Sequence, residues 1–174
     1  MKDINRIHIT GVYGVGKTVF ANELSKILDI DLYHLDDIKY KRKYDEERTI
    51  EERKQIVKNI SRKKKWITEG VWTSYARDLF EKADLVIFLE EREFILYKRI
   101  IFRYIKKILE GNKNKAKLFV FIRAIYRYFR KPENFTHLET YQECIEKYSR
   151  GNVIKINNKR EAKELLKKIS KKGL

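Results

Sequence analysis

Eight consecutive residues, Gly11-Val12-Tyr13-Gly14-Val15-Gly16-Lys17-Thr18, constrain this chain more than any other stretch, because they satisfy the pattern G-x-x-x-x-G-K-[ST] in full. Gly11, Gly14 and Gly16 let the backbone curl and aim successive N–H groups at a single anion. The amides of Gly14, Val15, Gly16, Lys17, Thr18 and Val19 then run into the first turn of a helix, whose N-terminus favours negative charge. Lys17 is expected to neutralise the β- and γ-phosphates of a nucleotide, and Thr18 to offer its hydroxyl to Mg²⁺. The flanks agree. Residues 6–10 read as a short strand, and residues 17–28 carry Val19, Phe20, Leu24, Ile27 and Leu28 at helical spacing. The rival dinucleotide fingerprint G-x-G-x-x-G does not fit, although an acid, Asp36, lies about twenty residues on. Here the spacing is G-x-x-G-x-G, and a lysine follows directly.

The rest of the chain continues the alternation. Residues 31–35 predict a strand ending at Asp36 and Asp37, and residues 39–45 a polar turn. A helix over 46–61 turns Ile50, Ile56, Val57 and Ile60 inward. Residues 65–69 predict a strand stopped by Gly70, and 73–80 a short helix. The unbroken apolar run at 84–89 predicts a strand buried on both faces. Helices follow over 93–109, 116–130 and, after Pro132, 134–148. A strand at 153–156 and a helix at 159–169 end the pattern. Strands alternating with helices predict an α/β fold with helices on both faces of a parallel sheet. With 174 residues, one proline and seven glycines, the chain suits a single domain over 1–174 with much regular structure. Within it, residues 92–130 read as a helical lid-like insertion.

In a parallel sheet the working residues lie beyond the carboxyl ends of the strands. Asp36 is the expected substrate-side carboxylate, placed to orient or deprotonate an accepting hydroxyl, with Asp37 the weaker candidate. Glu69, just before Gly70, is expected to support Mg²⁺ together with Thr18. Glu90 and Glu91 read as solvent-side acids. His34 reads as a satisfied structural histidine, and neither His8 nor His137 has a constellation around it. Arginines gather the charge that phosphoryl transfer spreads. Arg99 is the expected catalytic one. It shares a helix face with Arg103, as Arg123 does with Arg127, and Arg92, Arg130 and Arg77 are further candidates.

The formal net charge of +16, from 41 Lys and Arg against 25 Asp and Glu, favours anionic partners without choosing among them. Aromatic residues interleave with the basic ones at Phe102, Tyr104, Phe119, Phe121, Tyr126, Tyr128 and Phe129. That pattern fits amphipathic helices packing on one another, and also base stacking, an anionic membrane surface or a subunit interface such as a homodimer's. Nucleic acid is therefore a secondary partner expectation. The lone Cys144 cannot form an internal disulfide and is expected to be buried on a helix face. No Cys and His cluster has zinc spacing, and no apolar run suggests a signal peptide or a membrane span, so a cytoplasmic protein is expected.

Four stretches, I-H-I-T-G-V-Y-G-V-G-K-T, L-Y-H-L-D-D, W-I-T-E-G-V-W and A-D-L-V-I-F-L, occur in this order over the first ninety residues. Together they resemble the nucleoside monophosphate kinase-like branch of the P-loop proteins. More narrowly, they resemble the small adenylate-kinase-related proteins named as DNA topology modulation or flagellar-regulator-like proteins. The resemblance implies a five-stranded parallel sheet in the order 2-3-1-4-5 with a mobile lid. It assigns Lys17 and Thr18 to the donor phosphates and Mg²⁺, Asp36 to the acceptor side, and Arg99 to the lid. It makes Glu69-Gly70 the counterpart of an Asp-Gly pair. The adenylate kinase run D-G-F-P-R is replaced by E-G-V-W-T, and no glycine-arginine-rich lid loop follows the fourth strand. The expected function is transfer of the γ-phosphate of Mg-ATP, with GTP an alternative, to an unidentified small-molecule or nucleotide acceptor. The competing expectation is a regulatory or nucleic-acid-associated NTPase with no small-molecule acceptor.

Overall fold

The computed structural model describes residues 4–41, 46–71, 73–109, 119, 122, 123, 125, 126, 129 and 139–172. Trp72, Arg127, Arg130, His137 and most of the expected helix over 116–130 lie outside these. Cys144 is helical, and its side chain is likewise outside the described set.

The elements run β1 (Arg6–Gly11), α1 (Lys17–Leu28), β2 (Leu32–His34), α2 (Leu35–Lys39), α3 (Ile50–Ser61) and β3 (Trp66–Glu69). They continue α4 (Thr73–Lys82), β4 (Leu85–Leu89), α5 (Glu93–Leu109), α6 (Glu139–Tyr148), β5 (Asn152–Ile156) and α7 (Lys159–Lys172). The five strands are parallel, in the order β2-β3-β1-β4-β5.

Strand alternation sorts the core into two layers. Ile7 and Ile9 of β1, Ile67 of β3, and Leu85, Ile87 and Leu89 of β4 pack with Phe20, Ala21 and Leu24 of α1 and Leu166 and Ile169 of α7. Trp66 and Val86 point the other way and meet Val57 and Ile60 of α3 and Tyr75, Ala76, Leu79 and Phe80 of α4. The result is three layers, α/β/α. Buried His8 lies in the second layer, where Nδ1 hydrogen-bonds Thr68 Oγ1 at 2.9 Å and burial pushes its pKa down to about 3.

Two of the differences from the sequence expectation bear on how the site is placed. β2 ends at His34, so Asp36 and Asp37 stand in the first turn of a short helix, α2, rather than at the end of the strand. The next helix begins at Ile50, not at residue 46. Thr49 Oγ1 accepts from the Glu52 N–H at 3.2 Å while the Glu52 carboxylate accepts from the Thr49 N–H at 2.7 Å, a reciprocal cap that fixes the start. Ile50 then falls in the first turn and is 38% exposed rather than inward. Tyr40, in the expected polar turn, and Glu47, just beyond it, form an antiparallel bridge.

At the amino-terminal end of the sheet, Asp84 joins β1 to β4. Its carboxylate accepts from Arg6 Nη2 at 2.8 Å, Arg6 Nε at 3.2 Å, and the N–H groups of Arg6 and Asn5 at 3.0 and 3.2 Å. Burial alone would raise its pKa, but the Arg6 guanidinium and the two amides hold it below the usual carboxylate range. A pKa depressed by folding stabilises the protein above the usual carboxylate range, and that contribution is lost as pH falls through the folded value. Asp84→Asn is expected to cost about 2 kcal/mol at neutral pH, with a smaller difference from the parent near pH 3. Urea unfolding at both pH values checks this, and an equal difference at the two would count against it.

Candidate active site

The phosphate loop is crowded behind and open in front. Gly11 has a φ of 140°, and a Cβ there would lie 2.0 Å from the Leu89 carbonyl oxygen, so only glycine lets β1 leave the sheet at this point. Gly14 and Gly16 take φ values of 80° and 104° and turn the chain. A Cβ on Gly16 would meet nothing within 4 Å. α1 follows with no side-chain cap and no acid in its first turn, and Val19 is 64% exposed there. The leading amides of α1 are thus left for an anion.

The back of the loop rests on α5. Val12 is buried with Leu96, Ile100 and Ile125, and Val15 packs on the same cluster. Arg99 donates from Nη1 to the Val15 carbonyl at 3.1 Å and from Nη2 to Glu91 Oε2 at 3.0 Å. Glu91 was expected at the solvent side, but is 4% exposed and held by this arginine. Its neighbour Glu90 pairs with Lys155 of β5 at 2.9 Å. Successive residues at a strand end point to opposite sides, and only one of the two acids faces α5.

Lys17 Nζ donates to the carbonyls of Gly11 at 3.1 Å and Val12 at 3.0 Å, and lies 5.6 Å from the centre of the Tyr13 ring. Burial pushes the Lys17 ammonium down to about 8; Glu69 and Asp36 oppose that shift, and Arg103 adds to it. Burial thus outweighs the two nearby carboxylates at this amine. Burial, with Asp36 nearby, pushes the Tyr13 hydroxyl up to about 12.

Glu69 reaches the loop through strand register. Alternation along β3 turns Ile67 and Glu69 toward α1, and Glu69 stands beside His34 of β2 in the parallel ladder. Its Oε1 accepts from the Thr18 hydroxyl at 3.2 Å and hydrogen-bonds His34 Nδ1 at 2.9 Å. Burial would raise the Glu69 carboxyl, but His34, Lys17 and Thr18 together hold it below the usual range. The same hydrogen bond raises the His34 pKa against partial burial. His34 is thus satisfied, as expected, but by a residue of the site itself. Directly after Glu69, Gly70 has a φ of 148°, and a Cβ there would lie 2.6 Å from Leu35 Cβ. That close approach brings α2 over the end of β3.

Asp36 and Asp37 are both exposed. Asp36 acts electrostatically on Lys17 and Tyr13, whereas Asp37 is felt at His34 but at neither loop residue. Of the pair, Asp36 is therefore the one within reach of the loop. Among the arginines, Arg103 is exposed on α5 and near enough to lower the Lys17 pKa. Arg77 pairs with Glu81 at 2.8 Å and stacks 4.4 Å over Tyr148, while Arg92 and Arg123 are exposed. The sequence reading paired Glu69 with Thr18 but missed Tyr13 and the link of His34 to Glu69. A bulky aromatic among the small residues of a phosphate loop was the one visible sign of the former.

Among the described residues, no group of three or more His, Cys, Asp or Glu is arranged to hold a metal ion. A nucleotide-borne Mg²⁺ still fits these residues. It needs one protein hydroxyl and a nearby carboxylate in addition to phosphate oxygens, and Thr18 with the ionised Glu69 offers both.

A three-layer sheet in this order, with this loop between β1 and α1, defines the P-loop NTPase architecture. No family model matches the chain. It is 29% identical over 127 residues to the uncharacterized protein YqaC of Bacillus subtilis (strain 168), covering 69% of this chain and 71% of that protein. Among solved structures it is similar to shikimate kinase from Bacteroides thetaiotaomicron, with a TM-score of 0.56, 15% identity and 97% of each chain covered. It is also similar to shikimate kinase from Acinetobacter baumannii in complex with shikimate, with a TM-score of 0.55, 16% identity, and 95% and 90% covered. A putative kinase from Chloroflexus aurantiacus gives a TM-score of 0.53 at 14% identity, with 98% and 97% covered. At these identities the likeness is one of fold. No helix among the described residues is long and apolar enough to cross a membrane.

Proposed function

We propose that this protein is a kinase that transfers the γ-phosphate of Mg-ATP to a hydroxyl of a small molecule. One observation carries the reading: Asp36, an exposed carboxylate outside the phosphate loop, lies within electrostatic reach of Lys17 at the carboxyl edge of the sheet. A protein that only binds or hydrolyses nucleotide has no need of an acceptor-side acid there. The shared fold with shikimate kinases supports a small hydroxylated acceptor over a nucleic acid.

Bound Mg-ATP would supply the transferable phosphoryl group and the divalent charge that neutralises it. Lys17 would exchange its two carbonyl partners for phosphate oxygens and draw charge from them. Glu69 would orient the Thr18 hydroxyl toward the metal, with His34 fixing the carboxylate. Asp36 would align the acceptor hydroxyl and take its proton as the new O–P bond forms and the bridging P–O bond breaks. Arg99, which ties α5 to the loop through Val15, would hold the cradle in shape, and Arg103 would approach the transferred group. The narrower resemblance to the topology-modulation and flagellar-regulator-like proteins enters none of these roles.

The test is a panel of acceptors incubated with γ-labelled ATP: sugars, sugar acids, hydroxylated ring carboxylates and nucleoside monophosphates. Label is expected on at least one of them, and to vanish with Lys17→Ala. Release of inorganic phosphate alone, at a rate that no acceptor alters, would overturn the kinase reading in favour of an NTPase.

A further inference from the structure

Helix α5 is apolar on both sides. Its inner side, Leu96 and Ile100, is buried against the phosphate loop. Its outer side carries Phe94, Ile101, Phe102, Ile105, Ile108 and Leu109, which are 67, 41, 70, 47, 41 and 81% exposed. At about 100° per residue these six fall within one arc of roughly 120°. A helix with two apolar faces normally has both covered, and nothing among the described residues covers the outer one.

Charge narrows what could cover it. Residues 94–132 contain twelve Lys or Arg and one acid, so most of the +16 net charge lies in less than a quarter of the chain. Residues 94–109 of α5 contain no acid at all. Lys98 stands within the apolar arc, its ammonium 4.5 Å over the Phe94 ring. A symmetric contact with a second copy would set this arc against itself, cation facing cation with no carboxylate to answer. A nucleic acid would satisfy the cations and could stack on Phe94 and Phe102, but it would leave Ile101, Ile105, Ile108 and Leu109 facing water. Aliphatic side chains and phenyl rings with a lysine among them suit the boundary between anionic headgroups and acyl chains.

We propose that the outer face of α5 docks on an anionic lipid surface, with Phe94, Phe102 and Leu109 entering the acyl boundary and Lys98 at headgroup level. The inference does not depend on the kinase reading, since it uses none of the residues assigned to phosphate transfer.

Sedimentation of the whole protein with vesicles tests it. One set is phosphatidylcholine alone, and the other contains about one-third phosphatidylglycerol, with both run at low and high salt. Binding to the anionic vesicles is expected to be at least about tenfold tighter, and to weaken with salt. F102S/L109S is expected to lose about a hundredfold in vesicle affinity while keeping its circular dichroism spectrum and its Mg-ATP affinity. Lys98→Glu, which leaves the apolar arc intact, is expected to lose about tenfold and serves if the double variant fails to fold. Equal binding to both vesicle types, or vesicle affinity unchanged in either variant, would overturn the proposal. So would a dimer in sedimentation velocity that F102S/L109S dissolves, or single-stranded DNA binding that the variant loses while vesicle binding persists.

Discussion

Lys17→Ala is expected to weaken Mg-ATP binding by about a hundredfold, the scale of removing one partner of a buried, hydrogen-bonded charge pair. The fold is expected to survive. The alanine variant gives up the two hydrogen bonds from Nζ to Gly11 and Val12. It also relieves a cation that burial already disfavours, as its lowered pKa records. These opposing effects leave a net stability change of about 1 kcal/mol. The backbone of the loop is held by other contacts: Gly11 against Leu89, Val12 against Leu96 and Ile100, and Val15 against Arg99. Calorimetric titration and a thermal melt on one preparation separate the two effects. A folded K17A protein that binds Mg-ATP as the parent does would remove the phosphate-loop assignment altogether.

Asp36→Asn is expected to leave Mg-ATP affinity within a few-fold of the parent and to lower turnover with the true acceptor by at least about a hundredfold, the lower range for a lost acid–base group. Asparagine keeps the size and much of the hydrogen bonding of aspartate, but it cannot take a proton at neutral pH. The position of Asp36 in the first turn of α2 supplies the competing explanation. A carboxylate there interacts favourably with the helix dipole by about 0.3–1 kcal/mol. If that were its whole role, D36N would melt a few degrees lower and turn over normally per folded molecule. A metal-supporting role would appear instead as a loss of ATP affinity that rises with Mg²⁺ dependence. The paired measurement is ATP affinity and acceptor-dependent turnover on the same folded sample. Turnover within about threefold of the parent, far short of the hundredfold loss, would exclude Asp36 as the group that orients or deprotonates the acceptor.

Local patterns carried much of the fold. The 93–109 helix is read from apolar residues at helical spacing and is present as Glu93–Leu109. The strand at 84–89 is read from its unbroken apolar run and is present as Leu85–Leu89. The start of α3 was also written in the sequence, as the T-x-x-E of Thr49 and Glu52, but the charged residues before it extended the helical reading too far. What the sequence could not show depends on which strands lie side by side. Glu90 and Glu91 are indistinguishable as neighbours; one pairs with Lys155 of β5 and the other with Arg99 of α5, partners that only the fold brings to the end of β4. The contact of His34 with Glu69 joins residues 35 positions apart and exists only in the register of β2 on β3. The assignments of Thr18 and Glu69 to a metal and of Asp36 to an acceptor came from residue type and position at strand ends. Geometry adds the hydrogen bond between the first two and the proximity of the third to Lys17.

The close approach of Gly11 to Leu89 has a consequence for how the loop comes into being. The motif is eight residues long, yet its first glycine is confined by a carbonyl from a strand at the middle of the chain. Its second glycine backs onto Ile100. A peptide containing β1, the motif and α1 would carry every residue of the pattern and lack both walls. Parallel pairing of β1 with β4 requires a long loop to close before any contact rewards it, which makes it a slow, non-local event. The shape of the loop therefore depends on β4 being docked on β1, and a state in which the two strands part would lose it even with α1 intact.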